Sequence, residues 1–276
     1  MKRAILLILL FFAACSSKDS DENSSQITQK AEFIYRTHQE RYFTKSPLKK
    51  QKPKPYPWEI GMNGKYPPIT KEYFRCKGSS LNPPRSPSQN ELDKSTQFYD
   101  CGGSERHSLP LKDGKEFVYP ILMDLLNYLQ LKTEKRVVIT CGHRCPDHNN
   151  YSDPAKENQY SKHMLGAEVS FYIQGMEEDP EAVLELLQEY YNLKKEYAKN
   201  PDFIEFKTYE KNDTNVSTPP IYNKEIFIKL FKKTEGRNFD NRHPYPYISI
   251  QVRYDKEKNE RVTYSWKEAH QNFLRK

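Results

Sequence analysis

Residues 136–173, RVVITCGHRCPDHNNYSDPAKENQYSKHMLGAEVSFYI, decide how the chain is read. Val137, Val138, Ile139 and Thr140 form an unbroken β-branched run that stops at Gly142, the pattern of a buried strand running into a loop. A second segment, 167–173, alternates in hydropathy and reads as another strand. Between the two lie His143, Arg144, His148 and His163, with Cys141 and Cys145 beside them. Chemically capable side chains on a loop held between buried strands mark a candidate site.

Working outward, residues 115–131 carry Phe117, Ile121, Leu122, Leu125, Leu126 and Leu129 as one apolar stripe, which predicts a helix with Pro120 in its first turn. Asp179 followed by Pro180 has the N-cap and first-turn chemistry of a helix that continues through Val183, Leu184, Leu187 and Tyr191. Residues 203–209 suit a strand, and Asn223 suits the cap of a helix holding Ile226, Phe227, Leu230 and Phe231. Residues 247–254 alternate and 261–266 return after a polar turn, predicting a hairpin in which Ser249, Gln251 and Arg253 share one face. Residues 267–276 suit a terminal helix. The expected fold is α+β, a small mostly antiparallel sheet with helices packed on one side. No internal repeat, glycine-rich phosphate loop or serine nucleophile elbow is present.

The run Gly142-His143-Arg144-Cys145-Pro146-Asp147-His148-Asn149, followed by Ser161-Lys162-His163-Met164-Leu165-Gly166, resembles the D-alanyl-D-alanine carboxypeptidase and Hedgehog superfamily of zinc peptidases. Members of that superfamily show a G-x-R-x-P-x-H-N loop and then S-x-H-x-x-G-x-A-x-D, and the likeness spans residues 115–255. It implies that fold, with His163 as a zinc ligand and Arg144 as the cation that holds substrate and steadies the oxyanion. The second ligand position falls on Ser170 and the third on Ser249, while the base position is taken by Pro246 and Tyr247. A catalytic zinc needs about three protein ligands and an open position for water, so two of the three are replaced here. Glu168, two residues before Ser170 and about 6–7 Å along the strand, is the nearest substitute ligand or base. His107, His148 and His243 are further substitutes.

Toward the N-terminus, residues 1–15, MKRAILLILLFFAAC, have two cations, a short apolar core and small residues before a cysteine, the arrangement of a lipoprotein export signal with Cys15 lipidated. That implies a chain anchored by lipid to a membrane of the cell envelope on its extracytoplasmic side, periplasmic or outer. The organisation expected is a signal over 1–15, a tether and Pro/Lys-rich extension over 16–72, and one domain over 73–276. Trp58 and Tyr56 are placed in an extended strap. No later run is long and apolar enough to span a bilayer. The net charge of +7 includes Lys2 and Arg3; it suits an anionic envelope, and no nucleic-acid motif accompanies it.

Removing Cys15 from the count leaves Cys76, Cys101, Cys141 and Cys145. An even number in an exported chain argues for disulfides, with three pairings open. The preferred one joins Cys76 to Cys101 and Cys141 to Cys145, stiffening the loop that presents Arg144. A rival reading makes Cys141, His143, Cys145 and His148 a metal site. Residues 99–108 read as a loop near the site, with Arg106 and His107 as substrate contacts.

Three functions follow as expectations. The first is a diverged, catalytically inactive domain that binds cell-wall peptide or another envelope ligand through Arg144, Ser161, His163, Ser170, Ser249 and Gln251; no cofactor is expected for it. The second is a working zinc peptidase on peptidoglycan, with His163 on the metal, Arg144 at the oxyanion and Glu168 as ligand or base. The third is a structural envelope lipoprotein.

Overall fold

In the computed structural model, which describes residues 65–85, 97–153, 161–211 and 213–276, both β-rich runs become strands. Counting strands as β and helices as α along the described chain, Leu111–Lys112 is β1, Lys115–Glu116 β2, Pro120–Thr133 α1 and Val137–Cys141 β3. Pro146–Ser152 is α2, Glu168–Ile173 β4, Pro180–Leu193 α3 and Pro201–Ile204 α4. Lys207–Thr208 is β5, Ile221–Tyr222 β6, Ile226–Phe231 β7 and Tyr247–Val252 β8. Tyr254–Asp255 and Glu260–Arg261 are β9 and β10, and Trp266–Gln271 is α5. Cys15, the tether, Tyr56 and Trp58 lie outside the described residues.

Six strands form one antiparallel sheet in the order β3-β4-β8-β7-β6-β5. Alternation gives the sheet two faces. Val169 and Phe171 of β4, Ile248 and Ile250 of β8, and Ile226, Ile228 and Leu230 of β7 join the hydrophobic core, with Leu122, Leu125, Leu126 and Leu129 of α1 and Val183, Leu187, Tyr190 and Tyr191 of α3. The architecture is α+β, with the two long helices sharing the core of the sheet. That core also takes in Ile69, whose N–H donates to Asn127 Oδ1 (2.7 Å) and whose carbonyl accepts from Asn127 Nδ2 (2.8 Å). Among the described residues no helix is long and apolar enough to cross a membrane.

Four local readings are corrected. The first helix begins at Pro120, because Asp113 (φ 53°) and Gly114 (φ 72°) take left-handed conformations and close a two-residue hairpin between β1 and β2. Asp-Gly is a strong signal for such a turn, and it removes Phe117 from the helix. The segment after Asn223 is a strand, β7. Asn223 Oδ1 accepts from the N–H groups of Glu225 (2.9 Å) and Ile226 (2.9 Å), a turn that launches the strand. Residues 203–209 divide between the end of α4 and the two-residue β5, and the hairpin after β8 is the short β9–β10 pair.

Glu225 is buried beside Tyr191, whose hydroxyl donates to its carboxylate (3.0 Å). Burial pushes its pKa up to about 7 against the lowering by Tyr197 and Tyr191. The fold therefore keeps the proton that the unfolded chain releases near pH 4.5. Stability from this group falls as pH rises from about 4.5 to 7, by up to about 3 kcal/mol. Denaturant titrations across that range should show this slope in the wild-type chain and lose it in Glu225→Gln.

Candidate functional site

The register pairs Ser170 with Ser249 and Glu168 with Gln251 across β4 and β8, so these four side chains lie together on the sheet face opposite the helices. All four are buried. Glu168 Oε1 accepts from Ser249 Oγ (2.5 Å) and Gln251 Nε2 (2.9 Å), and Gln251 Oε1 accepts from Lys162 Nζ. The Glu168 side chain reaches to within 3.8 Å of His163 Nε2.

His163 is delivered by the 3₁₀ turn Lys162–Leu165. Ser161 opens that turn, its Oγ accepting from the His163 N–H (3.3 Å), and Gly166 closes it in a left-handed conformation (φ 65°). His163 Nδ1 lies 2.8 Å from the Gly142 carbonyl, which can only accept, so the proton sits on Nδ1. Burial lowers the His163 pKa and keeps the ring neutral. Ser249 and Gln251 donate to the Glu168 carboxylate, and its pKa is held below the usual carboxylate range against the cost of burial. A neutral ring with its free nitrogen 3.8 Å from a carboxylate oxygen makes no hydrogen bond there. Gly142 is required by close packing, since a Cβ would stand 2.6 Å from Phe74 Cα.

Arg144 is buried and donates from Nε to Asp240 Oδ2 (2.7 Å), leaving Nη2 without a hydrogen-bond partner among the described residues. Burial opposes its charge, but Cys141 and Asp240 hold the guanidinium protonated. Its partner is thus Asp240, and Asp147 pairs instead with Arg275 (2.9 Å). His148 lies between two carboxylates, with Nδ1 2.5 Å from Asp100 Oδ1 and Nε2 2.9 Å from Asp240 Oδ1. Both nitrogens therefore donate. Burial works against that charge, yet Asp100 and Asp240 push the His148 pKa up to about 9. Sequence reasoning missed Asp100 and Asp240. The cluster Asn238-Phe239-Asp240-Asn241 announces a turn, built on Asn238 Oδ1 accepting from the N–H groups of Asp240 and Asn241 (both 3.1 Å), but nothing in it points to residue 144.

The four cysteines are free and buried. Both expected pairings are corrected: the Cys76 and Cys101 sulfurs stand 3.7 Å apart, and Cys141 ends β3, while Cys145 caps α2 and faces Cys76 and Cys101. The rival metal set is corrected too, because His148 is taken by carboxylates and His143 packs edge-on against His107 (5.7 Å between rings). Instead Cys76, Cys101, Cys145 and His107 bring one donor atom each within 4.8 Å of one another, a buried group that could hold a metal ion.

His163 is a poor match to a catalytic metal. Neither it nor Glu168 belongs to any metal-capable group among the described residues, and Glu168 Oε1 is already engaged by Ser249 and Gln251. His243 lies elsewhere, stacked with Tyr245. Beside Lys162 lies a cleft of about 550 Å³ lined by Lys162, Lys207, Lys224, Arg253 and Arg261, with Tyr264 among its walls and Asp202 and Glu205 as the acids. No family model, curated protein or solved structure matches the chain.

Asp240 compensates both Arg144 and His148. Asp240→Ala should cost about 3–5 kcal/mol, the penalty of a buried cation left unpaired, read as a lowered denaturation midpoint.

Proposed function

We propose that the chain is an extracytoplasmic lipoprotein whose peptidase-like centre is non-catalytic and whose neighbouring basic cleft binds an anionic envelope ligand, a carboxylate-bearing cell-wall peptide. One observation carries the first half: Glu168, the nearest substitute ligand, accepts from Ser249, which stands at a ligand position of the resemblance, and from Gln251. A carboxylate fixed in this way, beside a neutral histidine with no second metal donor, neither holds a hydrolytic zinc nor activates water.

The cleft supports the second half. It presents five cations against two carboxylates, with tyrosine rings along its wall. Lys162 joins it to the buried centre, donating to Gln251 with its ammonium 4.9 Å above the Tyr264 ring. Arginine and lysine so arranged suit carboxylates, while Arg144 is buried with its Nε held by Asp240. Anchorage through Cys15 would hold this cleft near the wall.

The test uses the full chain in detergent. It should release no D-alanine from D-Ala-D-Ala-terminated peptides, and it should co-sediment with purified peptidoglycan. Binding should weaken with salt and fall at least about tenfold (about 1.4 kcal/mol) in the double variant Lys207→Glu, Arg261→Glu, both of which are exposed. Metal-dependent D-alanine release abolished by His163→Ala would establish the peptidase reading in its place. Binding unaffected by the double variant would remove the cleft from the account.

A further inference from the structure

We infer that Cys76, Cys101, Cys145 and His107 form a tetrahedral Cys₃His zinc site that is structural and separate from the His163 centre. Three features of the geometry point the same way.

The first is spacing. Cys76 Sγ and Cys101 Sγ are 3.7 Å apart. Two thiolates bound to one zinc at about 2.3 Å in a tetrahedral shell stand about 3.8 Å apart, whereas a disulfide would bring them to about 2.05 Å. All four donor atoms fit within 4.8 Å of one another.

The second is the histidine. His107 Nδ1 lies 3.0 Å from the Ser108 carbonyl, so it carries the proton and leaves the Nε2 lone pair facing the sulfurs. That Nε2 is buried without a hydrogen-bond partner among the described residues, on a side chain only 4% exposed. An imidazole that donates one nitrogen to a carbonyl and turns the other toward thiols has the tautomer and orientation of a zinc ligand.

The third is the support of the sulfurs. Cys145 Sγ accepts from the His148 N–H (3.4 Å) at the start of α2, and Cys101 Sγ accepts from the Gly103 N–H (3.4 Å). Such bonds favour the thiolate form, and binding releases the three thiol protons. No ligand position is left open for water, so the site stabilises rather than catalyses. It ties together three segments far apart in sequence: the stretch after Phe74, the loop before β1, and the loop from β3 to α2. The overlapping group Asp100, Cys101 and His148 is less suited, since both His148 nitrogens are engaged by carboxylates.

Zinc should be measured in the full chain, purified in detergent without chelator, beside four variants. One zinc per chain is expected in the wild type, in Cys141→Ser and in His163→Ala. Less than about a tenth of that should remain in Cys145→Ser and His107→Ala, each missing a ligand. Cobalt substitution of the wild-type chain avoids reliance on variants that fold poorly; intense tetrahedral visible bands with a sulfur-to-cobalt charge-transfer band are expected. Zinc lost in His163→Ala but kept in Cys145→Ser would overturn the assignment. So would a metal-free wild-type chain with Cys76 and Cys101 joined in a disulfide by mass spectrometry of the unreduced protein.

Discussion

The buried polar face of the β4–β8 pair constrains the rest of the structure. A strand pair with one apolar face buries that face under helices; here the opposite face is covered as well, and it carries Glu168, Ser170, Ser249 and Gln251. Polar groups withdrawn from water must find partners inside the protein or cost stability. Glu168 meets that demand with a serine hydroxyl and a glutamine amide. The same demand fixes the tautomer of His163 through the Gly142 carbonyl. The proposal of a non-catalytic centre rests on this engagement of the Glu168 carboxylate by Ser249 and Gln251.

Covering this face falls to loops, and loops need anchors. One is the chain of charges from Asp100 through His148 and Asp240 to Arg144. The other is the sulfur cluster, which shares its supports with the first. Asp100 and Cys101 are neighbours, and Cys145 and His148 sit on the first turn of α2. Zinc bound by the cluster would hold the backbone at Asp100 and His148, the latter through its N–H to Cys145 Sγ.

Much of the sheet was legible in the sequence because strands with one apolar face alternate. Glu168–Ile173 and Tyr247–Val252 declare themselves in this way, and Val137–Cys141 by its unbroken β-branched run. Asp179 and Pro180 likewise announced α3, since capping is local chemistry. The segment from Ile226 misled because Phe227 and Phe231 fill the outward positions of a strand and imitate a helical stripe. The Asp113-Gly114 pair carries a hairpin signal that the apolar spacing from Phe117 onward obscured. At the site, the resemblance placed Ser170 and Ser249 together, strand alternation put Glu168 on the face of Ser170 and Gln251 on that of Ser249, and the β4–β8 register brings all four onto one face. The partnership of Asp240 with Arg144, and of Cys76, Cys101 and His107 with Cys145, was not legible in this way. Those residues are tens of positions apart, in loops whose path depends on the whole fold.

X-ray absorption at the zinc edge of the full chain tests the account most directly, because the scattering shell reveals which residues hold the metal. Three sulfurs at about 2.3 Å and one nitrogen at about 2.0 Å are predicted. A shell of nitrogen and oxygen alone would place the metal at His163 and Glu168 and contradict both the inactive centre and the structural site.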